Sequence, residues 1–362
     1  MSGWLSFAAK SPRQAVERSL ALGGLAIAVI WPLAMSDYWG HQILTQVFFM
    51  GIVAASVTFL SAYGGMVSFA QISLFGISAF VYGNATTKTS KGLNLGLSPW
   101  LGILLAIGIT VLMGLVFGAL ASRSAGIYFL MITLTFAVIA NLFFGSVTDV
   151  SGFGGISGIN PPGVLLNRFG GDVHLAPDRL YYVALVAAFA IYVLIRYVVR
   201  TPFGLALQGV RDDPVRMASL GYNVPLHRTA AFALGAFMTS IAGILFVWWN
   251  GHVDPASINL GQNINALIIA VIGGLARIEG AWLGAIFFYA ISNVIQSSWP
   301  NGIPGIGGTF ITIIGLVFLL VVVVSPDGLM GLWQRYGGLD RLRPGRRDAG
   351  PPQADPATEA AQ

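Results

Sequence analysis

The side chains with chemical capability inside the long apolar runs of this sequence are uncharged hydroxyls and amides. The run 66–85 has Ser68, Gln71, Ser73, Ser78 and Asn84, the run 125–146 has Thr133, Thr135 and Asn141, and the run 263–276 opens with Asn263 and Asn265. Such groups can bind a small polar or zwitterionic solute without stranding a charge. They can equally hydrogen-bond one helix to the next. A solute pathway and interhelical packing therefore both stay open.

Carboxylates are almost confined to loops, tails and the ends of apolar runs. Among the 14 Asp and Glu residues, Glu279 is the one we expect at membrane depth, and it lies beside Arg277. We predict that these two charges neutralise each other at a turn rather than relay a proton. Proton-coupled carriers usually need an intramembrane carboxylate or histidine, so that class is disfavoured.

The sequence lacks the residue sets of common cofactor sites. It has no cysteine, and its 4 histidines are scattered without ligand spacing, so we expect neither a metal nor a redox site. It has no G-x-x-x-x-G-K-[ST] motif and cannot bind ATP through a P-loop. Because no nucleophile, acid and base cluster together, an intramembrane enzyme is disfavoured. We expect this chain to bind no cofactor.

The composition indicates the elements that position these groups. The chain is 56% hydrophobic and 9% charged, whereas soluble domains average about 25% charged residues. We predict an all-α, polytopic transmembrane helical bundle of about 8–10 spans. The predicted spans are 20–36, 42–62, 66–85, 99–120, 125–146, 180–199, 230–250, 263–276, 280–297 and 309–324.

Three of these runs have alternatives. The run 20–36 follows a basic segment and is predicted as a span, with a signal peptide as the alternative. The run 263–276 is about 21 Å long as a helix, short for a crossing, and could dip in and return with 280–297. The run 66–85 is polar and glycine-punctuated, and its alternative is a re-entrant segment. A re-entrant segment would invert every later loop against the charge bias, so we expect 66–85 to cross.

The basic residues give the chain an orientation, because cytoplasmic loops carry an excess of Lys and Arg. Of the 19 basic residues, only Lys88, Lys91, Arg168 and Arg179 fall outside if the N-terminus is cytoplasmic. The remainder lie inside: Lys10, Arg13, Arg18, Arg123, Arg196, Arg200, Arg211, Arg216, Arg228, Arg277, Arg335, Arg341, Arg343, Arg346 and Arg347. Since these charges set orientation, the formal charge of +5 does not indicate nucleic acid.

The chain then divides into three parts. We expect a cytoplasmic segment at 1–19, a membrane domain at 20–332 and a disordered cytoplasmic tail at 333–362. The arginines early in the tail are expected to lie on anionic lipid. Within the membrane domain, the external loop 147–179 is either a lid or docking surface or a mobile connector.

A polar segment, 200–229, interrupts the apolar runs. Thr201 is suited to cap a first helix with Pro202 at its first position. Asp213 and Pro214 repeat this arrangement for a second helix, from Pro214 to Leu220, which Gly221 ends. A helix of about two turns is marginal alone in water and needs something to pack on. Docking to another subunit is favoured over a solvated loop.

Four blocks of this sequence resemble the branched-chain amino acid ABC transporter permeases of the LivM type. They are GGMVSFAQISLFGISAF at 64–80, AGIYFLMITLTFAVI at 125–139, FGLALQGVRDDPVRMASLGYNVPLHRTAAFALGAFMTSIAGIL at 203–245, and IIAVIGGLARIEGAWLGA at 268–285 with SPDGLMG at 325–331. The blocks occur in order and cover nearly the whole membrane portion. Ala70 stands where the family usually has glycine.

The resemblance implies an importer subunit in the bacterial inner membrane. It implies a LivH-type second permease, two cytoplasmic ABC ATPases that hold ATP and Mg²⁺, and an external solute-binding protein. The second short helix is similar in position to the family's coupling helix, and the 230–250 helix would carry its movement to the pathway. The implied coupling residues are Arg211, Asp212, Asp213, Pro214, Met217, Ala218, Leu220 and Gly221. The pathway residues predicted from the polar side chains of the apolar runs are Ser68, Gln71, Ser73, Thr133, Asn263 and Asn265.

Branched-chain or related hydrophobic amino acids are the expected solute. The alternative is a stand-alone secondary carrier or channel for a small polar solute such as urea or an amide. Such a carrier could bind sodium through unwound carbonyls near Gly273 and Gly274.

Overall fold

The computed structural model describes residues 42–88, 92–124, 126–152, 154–159, 161–163, 166–169, 172–175, 177–298, 309–325 and 328–331. The predicted span 20–36, the segment 1–19 and the tail 333–362 lie outside these residues. The helices are α1 (Leu44–Gly64), α2 (Gln71–Thr86), α3 (Pro99–Ala121), α4 (Ile127–Ser146), α5 (Thr148–Ser151), α6 (Pro177–Arg200), α7 (Pro202–Asp212), α8 (Pro214–Ser219), α9 (Val224–Asn250), α10 (Leu260–Gly273), α11 (Ile278–Ser298) and α12 (Thr309–Val324). The strands are β1 (Ile156–Ser157), β2 (Leu166–Phe169), β3 (Asp172–Leu175) and β4 (His252–Val253), and a 3₁₀ turn covers Pro255–Ile258.

Five of these helices are long and apolar enough to span a membrane: α1, α3, α4, α6 and α9. The pair α10 and α11 is bent by 115° at a short break and raises the number to 6 if it counts as one span. The prediction of an all-α polytopic bundle is confirmed. By length and composition the span number within the described residues is lower than predicted, because α2 and α12 have 16 residues each and non-helical residues break 263–297.

The centre of the bundle is formed by α1, α2 and α9. Every residue of α2 except Val81 is buried. In the apolar windows of α1 and α9, 78% and 67% of residues are buried, against 22–28% in α3, α4 and α6. The outer three helices turn large apolar side chains outward, such as Leu104, Met131 and Val186. Such faces suit lipid or another membrane subunit.

The central helix α2 runs parallel to α4 across the bundle. Just before α2, the Phe69 amide donates to the Thr133 hydroxyl at 3.3 Å. Further along, the Phe80 and Phe144 rings stack with centroids 4.2 Å apart. At its end, the Asn84 amide donates to the carbonyl of Val150 at 2.7 Å. The chain from Gly65 to Thr86 therefore passes from one end of the bundle to the other, as predicted, although its helix begins only at Gln71.

One end of the bundle gathers the arginines that the charge rule assigned to the cytoplasm. Here the Arg228 guanidinium donates to the carbonyl of Ser124, 3.4 Å away, and the Thr229 hydroxyl donates to the Ser122 hydroxyl at 3.2 Å. These bonds join the start of α9 to the end of α3. We call this the arginine-rich end, and it has Arg123, Arg196, Arg200, Arg211, Arg216 and Arg228.

At the opposite end, the 147–179 loop is partly folded onto the bundle. Strands β1 and β4 pair antiparallel, with Ile156 opposite Val253, and β2 pairs with β3. Ile156 and Ile159 are buried over Gly83 of α2. Residues 154–159 of this loop are therefore packed against the bundle.

Close helix packing in the centre depends on glycine. A Cβ added at Gly243 of α9 would lie 2.3 Å from the backbone carbonyl oxygen of Phe75. A Cβ added at Gly108 of α3 would meet nothing within 4 Å. Alanine substitutions at these two positions therefore distinguish the effect of interhelical contact from the effect of helix propensity.

We predict that Gly243→Ala lowers the free energy of unfolding in detergent by about 1–3 kcal/mol, because overpacking forces α2 and α9 apart. Gly108→Ala is the matched control and should be neutral or slightly stabilising, since alanine favours a helix. Thermal unfolding of both variants provides the measurement. Equal midpoints would contradict the packing role of Gly243.

Candidate coupling and translocation sites

Local capping chemistry builds the first helix of the polar segment as predicted. The Thr201 hydroxyl accepts from the amide of Gly204 at 3.3 Å, and Pro202 occupies the first turn of α7. On its inner face, Leu207 and Val210 are fully buried. Helix α7 is therefore seated on the bundle.

The second helix also follows the predicted signals. Asp213 is extended, with φ −150° and ψ 92°, and its carboxylate accepts from the amide of Arg216 at 2.9 Å. Pro214 begins α8, which ends at Ser219, one residue before the predicted end. Gly221 has φ +89°, a left-handed conformation that favours glycine. The corner between α7 and α8 is thus fixed by its own residues.

Helix α8 turns most of its side chains away from the bundle. Val215 is 75% exposed and Leu220 is 67% exposed, and Ala218 is exposed as well. Met217 and Pro214 are half-buried, whereas the other implied coupling residues are exposed. A Cβ added at Gly209 of α7 would lie 2.8 Å from the Met217 sulfur. Met217 therefore packs α8 against α7. Val215, which was not among the implied coupling residues, is exposed on the outward surface instead.

Arg211 and Asp212 form an ion pair at the C-terminal end of α7. The Asp212 carboxylate lies 2.7 Å from Nη2 of Arg211 and accepts from its Nε at 2.8 Å. The third side of the same guanidinium faces α1, where Nη1 donates to the carbonyl of Ala62. The exposed surface of α7 is therefore linked directly to the end of α1.

Gln71 is the most unusual of the predicted pathway residues. Its side chain is 1% exposed, and its Oε1 accepts from the Ser56 hydroxyl at 2.6 Å. Its Nε2 has no hydrogen-bond partner among the described residues. Leaving a buried donor unpaired costs about 1–3 kcal/mol. This amide therefore retains an unused donor in the centre of the bundle.

The structure brings two other predicted pathway residues to residues 65–70, the non-helical break that precedes α2. Thr133 of α4 accepts from the Phe69 amide, and the Ser68 hydroxyl accepts from the amide of Ala70 at 3.1 Å. Ser73, near the start of α2, is fully buried, and its hydroxyl has no partner in the described part of the chain. These side chains and Gln71 surround the start of α2.

Asn263 and Asn265 are placed elsewhere, in the first turns of α10. The Asn263 amide is buried and donates to the carbonyl of Asn259 at 3.2 Å, and the Asn265 amide donates to Gln262 at 3.5 Å. The preceding 3₁₀ turn is held by Asn141 of α4, which donates to the carbonyl of Pro255 at 3.0 Å. The structure therefore divides the predicted pathway residues into two groups.

Several polar residues of the apolar runs serve packing. The Ser78 hydroxyl donates to the carbonyl of Ser240 at 2.7 Å and links α2 to α9. Asn84 binds the carbonyls of Phe80 and Val150 and accepts from the amide of Leu93. Thr135 is outward-facing and donates to the carbonyl of Met131. Packing is thus the observed role of these three side chains.

Glu279 forms an ion pair across helices. Its carboxylate lies 2.5 Å from the guanidinium of Arg196 on α6, and the Tyr192 hydroxyl donates to it at 3.1 Å. Arg196 in turn donates to the Tyr192 hydroxyl at 3.0 Å. The sequence analysis did not predict Arg196 as a partner of Glu279. The sequence contained one indication of this pairing: Arg196 lies within the apolar run 180–199, one helical turn after Tyr192.

The break near Gly273 and Gly274 is a packing site. A Cβ added at Gly273 would lie 1.9 Å from the backbone carbonyl oxygen of Gly280, and one at Gly328 would lie 2.5 Å from the Gly274 nitrogen. The Gly274 amide donates to the carbonyls of Ala270 and Val271. Backbone contact between α10, α11 and Gly328 explains these glycines.

Comparisons with known proteins agree with this architecture. Residues 41–324 match the family described as "Branched-chain amino acid transport system / permease component". The permease protein LivM of Salmonella typhimurium is 24% identical over 84% of this chain and 73% of its own length. A probable LivM of Methanocaldococcus jannaschii is 25% identical over 74% and 81%. LivH of Escherichia coli is 26% identical over 45% of this chain and 50% of its own length.

The family match covers α1 to α12, and with it both the α7–α8 corner and the buried start of α2. The chain therefore belongs to the family of permease components of branched-chain amino acid transport systems.

Proposed function

We propose that this chain is the membrane permease subunit of an ATP-driven importer for branched-chain or related hydrophobic amino acids. It pairs with a LivH-type second permease in the bacterial inner membrane, and an external binding protein delivers the solute. Two cytoplasmic ATPases hold ATP and Mg²⁺ and bind the α7–α8 segment, residues 202–219. The names of the LivM and LivH relatives support the permease pair and the solute class.

One observation carries the proposal. Val215 and Leu220 are exposed apolar side chains at the arginine-rich end, on a helix whose ends are fixed by Asp213 and Gly221. Exposed apolar side chains on a rigid helix, surrounded by charged residues, are suited to bind a pocket on a soluble partner. Because this end corresponds to the cytoplasmic side by the charge rule, the partner belongs to the cytoplasm.

The solute pathway is proposed for the polar side chains around the start of α2. Ser68, Gln71, Ser73 and Thr133 are uncharged and buried, and two of them have unpaired polar atoms among the described residues. Uncharged hydroxyls and amides suit a zwitterion because they solvate both of its charges without a fixed charge of their own. Asn263 and Asn265 are proposed as a second group, nearer the end that faces the binding protein.

We predict that Leu220→Asp, alone or with Val215→Asp, lowers co-purification of the ATPases at least about tenfold, because it places a charge in an apolar interface. The permease itself should stay folded, since both side chains face outward. The measurement is the ATPase to permease ratio after gentle solubilisation.

Leu93→Asp is the matched control for this experiment. Leu93 is 57% exposed and lies at the opposite end of the bundle. Its substitution by Asp should leave the ATPase to permease ratio unchanged. Wild-type recovery of ATPase with Leu220→Asp would contradict the docking role.

We predict that Gln71→Leu lowers the kcat/KM of uptake by at least about fivefold with assembly intact, because the solute loses a hydrogen-bond donor. Ser78→Ala is the control, since Ser78 is bound to Ser240 in packing. It should cost about 1 kcal/mol of stability and leave uptake kinetics unchanged. Normal uptake by Gln71→Leu would assign Gln71 to packing as well.

A further inference from the structure

We propose that Arg211 transmits the movement of the α7–α8 segment to residues 65–70, the break that precedes α2, by capping the C-terminal end of α1. This inference rests on the proposed function and names the positioning residue within it. It identifies a route to the buried polar residues that is shorter than the one through α9.

The first step is the cap itself. Gly65 has φ +65° and ends α1, and its amide donates to the carbonyl of Ser61 at 3.2 Å. The Met66 amide donates to the carbonyl of Leu60 at 3.0 Å. The carbonyl of Ala62 belongs to the last turn, where no intrahelical donor is available. Arg211 supplies that donor, and its charge also suits a helix C-terminus.

The second step is the closeness of the contact. A Cβ added at Gly65 would lie 2.7 Å from Cγ of Arg211 and 3.6 Å from its Cα. One turn earlier on α7, the fully buried Leu207 lies 3.9 Å from a Cβ added at Gly64. Helix α7 is thus pressed against the end of α1, and a displacement of one moves the other.

The third step is the connection to the surface. Asp212 holds Nε and Nη2 of the same guanidinium, and its side chain is 64% exposed. A partner that presses on this surface therefore acts on Arg211 directly. By contrast, residues 218–223, which lead from α8 to α9, are all exposed and include the left-handed Gly221. The link through Arg211 is the more direct of the two, because a single side chain joins α7 to the end of α1.

The fourth step is the position of the break directly before the polar start of α2. Residues 65–70 lead into Gln71, and Phe69 within them is bound to Thr133 of α4. A shift at Gly65 therefore reaches the buried amide of Gln71 within about seven residues of chain. Arg211 consequently couples the exposed corner to the polar start of α2.

The test uses the assembled transporter, permease pair with ATPases and binding protein, in proteoliposomes. Arg211→Ala should keep the ATPase to permease ratio and keep ATP hydrolysis within about twofold, while solute transported per ATP falls at least about tenfold, within the usual range of coupling between two sites. Arg211→Lys keeps a cationic donor and should recover most of the lost coupling. The control Arg123→Ala removes an exposed arginine of the same end, outside the α7–α8 segment, and should change none of the three quantities.

Each outcome separates this inference from the proposed function. If Arg211→Ala transports normally per ATP, Arg211 is not the link, although the ATPase docking stands. If Arg211→Ala releases the ATPases, Arg211 is a docking residue and the inference is overturned. Should Arg211→Ala be unstable, Arg211→Lys decides, because equal loss of hydrolysis and transport there would contradict a coupling role. Failure of ATPases to associate with the wild-type permease would instead contradict the proposed function.

Discussion

A helix break inside an apolar bundle leaves peptide groups that lipid cannot hydrogen-bond, so neighbouring elements must satisfy them. Residues 65–70 form such a break between the arginine-rich end and the buried start of α2. Amides of this break are bound by the last turn of α1, by Ser68 and by Thr133 of α4. The carbonyl of Ala62 is bound by Arg211 of α7. The position of α2 therefore depends on two other elements, one in the membrane bundle and one at its arginine-rich end.

This dependence gives a physical account of how a peripheral segment influences a buried one. The α7–α8 segment is rigid because Thr201 and Asp213 cap its helices and Met217 packs on Gly209. It is fixed to the bundle through buried Leu207 and Val210. Its outer surface is apolar at Val215 and Leu220. A rigid element that is attached on one side and exposed on the other is suited to transmit force.

The parts of this architecture that depend on local chemistry could be predicted from the sequence. The corner at Asp213 and Pro214 and the stop at Gly221 depend on residues in contact with their own neighbours in the chain. The parts that depend on tertiary packing could not be predicted. Met217 faces inward because Gly209 leaves room for it, and Glu279 pairs with Arg196 because α6 and α11 are adjacent. Likewise, hydropathy located the run 66–85, yet the late start of α2 results from Gly65 and the capping of α1.

The central claim is that the movement of this permease is driven from outside the chain, through the α7–α8 segment. Its most direct test is solute accumulation in sealed proteoliposomes that contain the permease pair and the binding protein, with and without the ATPases. Uphill accumulation should require both the ATPases and hydrolysable ATP, and should cease with a non-hydrolysable analogue. Accumulation against a gradient without the ATPases or without nucleotide would contradict the account.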